Sequence, residues 1–292
     1  MRPSNHTLLI NAVIAMCKEN SNWIHPLADL GFEVRLIEQT MSLTGGTGSI
    51  KPDVVVTSNR HLHALLFDCK GGRNVDEKQA DRYRKVTPED ILRWIAIWRP
   101  ERLAHDVCFL SLESNRVDRT DKFKDFPLLV LSEQSLRKIG SFSNSHVEKK
   151  FQQPISIEKE MKQPMSYYPF SDQDDQAVIL PFVLRAIVAH LMDKRRGGNV
   201  EVNEAMLDNE EMMRKLHPMW QLISLEQQRV IRTKVRDILR TILRHHQDFV
   251  SKLQGVEPHA DIPVILANLV ETCEKMIAEE EKKTRITDYP TE

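Results

Sequence analysis

The sequence has few of the features that mark secreted, disulfide-bonded or membrane proteins. Its four cysteines are widely separated and form no CxxC pair, which excludes a disulfide framework or cysteine-rich zinc module and is typical of reduced thiols. The most apolar stretch, 177–192, is interrupted by Pro181, Arg185 and His190. It is also shorter than the roughly 20 apolar residues of a membrane span. Since no signal-peptide pattern is visible either, we expect a cytoplasmic protein with no membrane partner.

The sequence also lacks a strong charge of either sign. Its formal net charge is −1 at pH 7, so any contact with nucleic acid must come from local clusters of basic residues. With 41% hydrophobic and 28% charged residues, the 292-residue chain has the composition of a soluble globular protein, with room for two domains. No GxxxxGK[ST] loop occurs, so ATP-driven motion would require a partner.

Helix and strand patterns alternate through the first half of the chain. Caps and spacing predict a helix from Ser4 or Asn5 to about Glu19. The later elements are a strand over 31–37, a glycine-rich loop over 44–48, a hairpin of 53–57 and 62–70, a helix over 75–98, and strands over 106–112 and 127–131. This order predicts an α/β fold with a mixed sheet flanked by helices.

The second half changes character. Residues 141–175 are rich in Ser, Gln, Lys and Pro, and we interpret them as a linker. Helices are predicted beyond it at 177–195, 202–216, 224–253 and 262–282. The predicted organisation is therefore a first domain over 1–140, the linker, and an α-helical accessory domain over 176–292.

The predicted hairpin carries the residues with the clearest chemistry. Asp53 begins its first strand, and Asp68 and Lys70 end the second on one face, because residues two apart in a strand point the same way. Pairing of the strands brings Asp53 close to Asp68. Two carboxylates can bind Mg²⁺, and a lysine beside them can orient water or stabilise charge. This grouping suits phosphodiester hydrolysis.

These residues resemble the PD-(D/E)xK nuclease superfamily, which has the restriction-endonuclease-like fold. The resemblance rests on Lys51-Pro52-Asp53 followed by Asp68-Cys69-Lys70, and it covers about residues 5–135. Gln79 and Tyr83, one helical turn apart, are similar to the QxxxY element of the RecB-like branch. Asp is found here at the second acidic position, where Glu is commoner.

The resemblance implies a metal-dependent deoxyribonuclease in phage defence, repair or mobile-element biology. Asp53 and Asp68 would bind Mg²⁺ or Mn²⁺, Lys70 would serve the attacking water, and Gln79 and Tyr83 would position substrate or metal. The family's extra acidic or histidine residue has four candidates, Glu19, Glu33, Glu38 and His6. We choose Glu38, because it lies at the strand end nearest the glycine-rich loop.

Other interpretations of the same residues stay open. Asp53 could merely cap a turn, and Lys70 could be a solvated strand end. The fold could also be a catalytically inactive scaffold in a nucleic-acid-binding or assembly subunit. Further possibilities are a helical interaction module that recruits a helicase or ATPase, and a homodimer, since duplex cutters of this class often act in pairs.

The helix predicted at 224–253 carries a basic stripe. Its arginines recur every three or four residues and so share one side of the helix: Arg229, Arg232, Arg236, Arg240 and Arg244. DNA phosphates would suit this stripe. Alternatively, it is a salt-bridged face that packs against the acidic residues Asp208, Glu210 and Glu211.

Overall fold

A computed structural model describes residues 3–44, 48–72, 77–115, 123–158, 166–196 and 209–245. The strands are β1 (Phe32–Ile37), β2 (Met41–Ser42), β3 (Ser49–Ile50), β4 (Val54–Ser58), β5 (His63–Lys70), β6 (Ala104–Leu112), β7 (Leu128–Leu131), β8 (Ser135–Ile139) and β9 (Ile155–Ser156). The helices are α1 (Asn5–Met16), α2 (Glu77–Tyr83), α3 (Pro88–Leu92), α4 (Ser145–Lys150), α5 (Gln176–Arg196), α6 (Asn209–Leu216) and α7 (Leu225–His245).

Seven strands form one mixed sheet in the order β1-β4-β5-β6-β7-β8-β9, while β2 and β3 pair separately. The β5–β6 and β6–β7 pairs are parallel and the other pairs are antiparallel. The predicted α/β class is confirmed. The hairpin is also present as predicted: β4 and β5 run antiparallel, with Val54 opposite Phe67 and Ser58 opposite His63.

Helices cover the central strands, and the alternation of side chains along β5 decides what each face meets. Helix α1 begins at its cap Ser4, whose hydroxyl accepts from the Thr7 N–H, and packs against β5. Ala64 and Leu66 point instead into a buried cluster with residues of α2, α3 and the β2–β3 pair. Asp68 and Lys70 continue the Ala64–Leu66 register, so they face α2.

The single helix predicted over 75–98 is wrong. The chain forms α2 and α3 instead, because Thr87 starts a new helix. Its side chain accepts from the Asp90 N–H, while the Asp90 carboxylate accepts from the Thr87 N–H in a capping box, and Pro88 occupies the first turn. Asp90 also accepts from the N–H and hydroxyl of Thr44, which ties α3 to the loop after β2.

The stretch 141–175, predicted as a linker, carries α4 and β9. Phe151 and Tyr168 are buried in it, and β9 pairs with β8 at the edge of the sheet. These elements are too short to show a hydrophobic period. The sequence pattern of the stretch therefore resembles that of a linker.

The described chain separates into two compact units. The first comprises Ser4–Tyr168 together with Gln221–Gln227, and the second contains Pro169–Trp220 and the residues from Gln228. Helices α5, α6 and α7 correspond to three of the four helices predicted after the linker, whereas 262–282 lies outside the described residues. Among the described helices, none has the length and apolarity required to cross a membrane.

Candidate metal centre

Asp53 lies just before β4, where the main chain holds it between two neighbouring strands. Its N–H donates to the carbonyl of Phe67 and its carbonyl accepts from the N–H of Glu38, each at 2.8 Å. Its carboxylate accepts a 2.6 Å hydrogen bond from the Cys69 N–H. One carboxylate oxygen is thereby anchored to β5, and the other, Oδ1, is turned toward α1.

His6, Glu38 and Asp53 form a group whose potential ligand atoms all lie within 4.8 Å of one another. His6 comes from α1 and Glu38 follows β1. The His6 Nε2 atom is 3.6 Å from Asp53 Oδ1 and 3.7 Å from Glu38 Oε1, distances that are too long for hydrogen bonds. The other ring nitrogen, Nδ1, lies 3.3 Å from the Cys69 carbonyl, which orients the imidazole.

These three residues fit a divalent cation. Two ligand atoms, each about 2.1 Å from one ion, lie about 3.0 Å apart at a right angle and about 4.2 Å apart across the ion. The separations from His6 Nε2 fall inside that range. His6 Nε2 is also buried without a hydrogen-bond partner, and buried polar atoms normally have one. A cation at this position would satisfy it.

Burial and neighbouring charges shift the pKa values of the cluster upward. Burial raises the pKa of Asp53 to about 7, and the charge of Asp68 adds to that effect. Burial also raises the pKa of Asp68, against the opposing cation of Lys70. Burial alone would lower the pKa of His6, but Glu38 and Asp53 outweigh it and raise the pKa to about 9. His6, Asp53 and Asp68 therefore each hold a proton more readily than an ordinary side chain of their type.

Asp68 and Lys70 form a second group with residues of α2. The Lys70 Nζ atom is 2.6 Å from Asp68 Oδ1 and donates a 2.8 Å hydrogen bond to Gln79 Oε1. Tyr83 is buried one turn further along α2. Burial, then the charges of Asp68 and Asp53, raises the pKa of the Tyr83 hydroxyl well above its ordinary value, so it stays neutral.

The structure thus brings the predicted residues together in two adjoining groups. Glu38 and Asp53 join His6, while Asp68 pairs with Lys70 and is not part of the three-residue ligand group. His6 was one of four candidates in the sequence, and nothing in its local pattern distinguishes it. Its position on α1 becomes informative only when α1 is packed against β5.

The basic stripe of α7 is described in part. Arg229 and Arg236 are exposed, whereas Arg232 is half-buried with its guanidinium 5.3 Å from the centre of the Trp220 ring. The side chains of Arg240 and Arg244 lie outside the described residues. Ile231, Val235 and Ile238 are buried on the adjacent face.

Comparison with known proteins places the first unit in a family. Residues 5–170 match the MJECL32 domain, so the chain belongs to the MJECL32 domain family. One relative, the uncharacterized protein MJECL32 of Methanocaldococcus jannaschii, is 27% identical over 166 residues, which cover 51% of this chain and 37% of the relative. The chain therefore spans little more than a third of that relative's length. No solved structure gives a significant match.

Proposed function

We propose that the protein is a metal-dependent nuclease that hydrolyses DNA phosphodiester bonds, with a PD-(D/E)xK-like site in its first unit. The observation that carries the proposal is the His6–Glu38–Asp53 group, buried directly beside Asp68 and Lys70. The order of helix, antiparallel hairpin, helices and parallel strand around the site supports the restriction-endonuclease-like fold. The helices of the second unit would form the accessory domain.

The bound ion would polarise the phosphoryl group and acidify a water ligand. His6, Glu38 and Asp53 would hold it, and the histidine favours Mn²⁺ over Mg²⁺, because imidazole is a poorer ligand for the harder ion. Asp68 orients Lys70, and Gln79 holds the ammonium from the side of α2. The Lys70 Nζ atom would donate to the attacking water or to a phosphate oxygen.

The first experiment is cleavage of labelled single-stranded and duplex DNA by the full chain with Mg²⁺ or Mn²⁺. We expect Asp53→Asn and Lys70→Met each to lower the cleavage rate about 100-fold or more. The matched controls are Asp125→Asn, whose carboxylate is mostly exposed, and Lys85→Met, also at an exposed position. Both should cut at the wild-type rate.

Cutting that persists in both site variants would overturn the proposal. The competing function is a catalytically inactive scaffold that binds nucleic acid or assembles with a partner. It would be supported if no substrate were cut with either metal and DNA binding were unaffected by EDTA. Activity that appeared only with a helicase or ATPase present would indicate that the helical module recruits such a partner.

A further inference from the structure

Glu38 is held in a conformation that its backbone does not favour by itself. It follows β1 directly, is almost completely buried, and has a φ of 51°. A residue with a side chain is strained in this left-handed conformation. The hydrogen bond from its N–H to the Asp53 carbonyl contributes to holding it there. The orientation of the Glu38 carboxylate is therefore set by its surroundings.

The two carboxylate oxygens of Glu38 have different neighbours. Oε1 faces the other potential metal ligands: it is 3.7 Å from His6 Nε2, and it also lies 3.9 Å from Lys51 Nζ. Oε2 accepts a hydrogen bond from the Tyr168 hydroxyl. Because the hydroxyl occupies Oε2, the carboxylate is oriented with Oε1 toward the ion position.

Tyr168 is itself anchored to the helix that supplies His6. The Asn11 side chain on α1 accepts hydrogen bonds from the N–H groups of Tyr167 and Tyr168, at 2.7 and 3.0 Å. Tyr168 is almost fully buried. Helix α1 thus places one ligand directly, through His6, and supports a second through Asn11, Tyr168 and Glu38.

We propose that Tyr168 is a positioning residue for the metal centre, which fixes Glu38 so that Oε1 can bind the ion. This inference rests on the proposed function, since it requires a metal at His6, Glu38 and Asp53. Residues that hydrogen-bond to a metal ligand typically contribute 10- to 100-fold to metal affinity. It assigns a site role to a residue 130 positions away from Glu38, inside the stretch that the sequence indicates as a linker.

The test is Mn²⁺ binding by the full chain, measured by calorimetry after treatment with EDTA and removal of the chelator. Tyr168→Phe removes the hydroxyl and keeps the buried ring. We expect it to raise the dissociation constant for Mn²⁺ by about 10- to 100-fold. The matched control is the adjacent, half-buried tyrosine: Tyr167→Phe should bind Mn²⁺ like the wild type. Thermal unfolding without metal reports any loss of folding in either variant.

A double-mutant cycle separates positioning from a general structural effect. If Tyr168 acts through Glu38, Tyr168→Phe should have little further effect on Mn²⁺ affinity in a Glu38→Gln background. Unchanged affinity in Tyr168→Phe, or an equal loss in both backgrounds, would overturn this inference while leaving the nuclease proposal standing. A folded wild-type protein that bound no Mn²⁺ and cut no DNA would overturn both.

Discussion

Lys70 owes its position to neighbours on two elements. Asp68, on the same strand, supplies an opposite charge at 2.6 Å, and Gln79 on α2 supplies a neutral acceptor at 2.8 Å. A lysine side chain has four rotatable bonds, so an ion pair alone leaves its ammonium free to rotate about the carboxylate. The second acceptor restricts that rotation, and Gln79 therefore matters for geometry rather than for charge.

We predict that Gln79→Leu lowers the single-turnover rate of DNA cleavage at saturating Mn²⁺ by about 10- to 100-fold. Mn²⁺ affinity should stay at the wild-type value, because Gln79 does not belong to the ligand group. The control is Gln134→Leu, at an exposed position near β8. An unchanged rate in Gln79→Leu, or a loss of metal affinity as large as the loss of rate, would contradict this role.

Residues of the candidate site differ in how far the sequence predicts them. Asp53, Asp68 and Lys70 are predictable because one hairpin contains all three and the period of a strand assigns their faces. Gln79 and Tyr83 are indicated by their resemblance to the QxxxY element, and helical spacing places both on one face of the next element. His6 lies beside Glu38, and Glu38 beside Tyr168, only because distant segments pack together. The periodicity of a sequence does not predict contacts of this kind.

At the scale of elements, Asp106 joins three segments. It lies on β6, beside β5 in the parallel register, and its Oδ2 is 3.0 Å from Nε2 of the buried His63. Both of its oxygens also accept from the Ser143 N–H just before α4. Burial alone would raise the pKa of Asp106, but the hydrogen bonds from His63 and Ser143 outweigh it and hold the pKa below the ordinary value.

We predict that Asp106→Asn lowers the free energy of unfolding at pH 7 by about 1–3 kcal/mol, since it weakens hydrogen bonds to a buried charge. The depressed pKa of the folded state makes this contribution fully present above the unfolded pKa of about 4, and it is lost as pH falls further. Urea unfolding at pH 7, 5 and 3.5 measures it. The difference between wild type and variant should narrow only at pH 3.5.

The exposed Asp125→Asn change is the control and should have little effect on unfolding at any of these pH values. A difference for Asp106→Asn that stayed constant down to pH 3.5 would show that its charge is not responsible. This prediction also tests whether the stretch predicted as a linker packs on the sheet. Ser143 and α4 contribute stability through Asp106 only if they do.

Long elements are more predictable here than short ones. The β4–β5 hairpin and α1 have enough residues to display their periods, and both were predicted near their observed bounds. The two-residue strands β2, β3 and β9 display none. The break between α2 and α3 did have a local signal, since Thr87-Pro88-Glu89-Asp90 is a capping sequence with proline in the first turn. The high charge density of residues 75–98 favours one continuous helix, and this outweighed the capping sequence in the prediction.

At the scale of the whole molecule, the first unit is not a continuous stretch of chain. Its segment Gln221–Gln227 comes after Pro169–Trp220 of the second unit in sequence, yet Ser224 donates its N–H to the Ile37 carbonyl, directly before Glu38. Lys51 donates to the side chain of Gln227 at 3.4 Å. The family match ends at residue 170 and so omits this segment, which forms part of the same unit as the candidate centre.

The second unit raises the question of whether the basic face of α7 binds DNA or only stabilises the helix. Arg232 stacks on the buried Trp220, so it contributes to packing. Arg229 and Arg236 are exposed on the same helix and are the described arginines that remain available to phosphates. Each phosphate contact releases condensed counterions, which makes the affinity fall as salt concentration rises.

We predict that the double variant Arg229→Gln/Arg236→Gln reduces the slope of log affinity against log salt by about 1.8 for duplex DNA, about 0.9 for each lost contact. Fluorescence anisotropy with a labelled duplex in EDTA, between 50 and 300 mM salt, measures binding without cleavage. The matched control is Arg185→Gln/Arg214→Gln, which removes two exposed arginines from α5 and α6. Equal losses of slope in both double variants would indicate a diffuse charge effect. No loss in either would make the α7 stripe a structural face, because two exposed guanidinium groups that contact phosphate cannot be removed without changing the number of ions released.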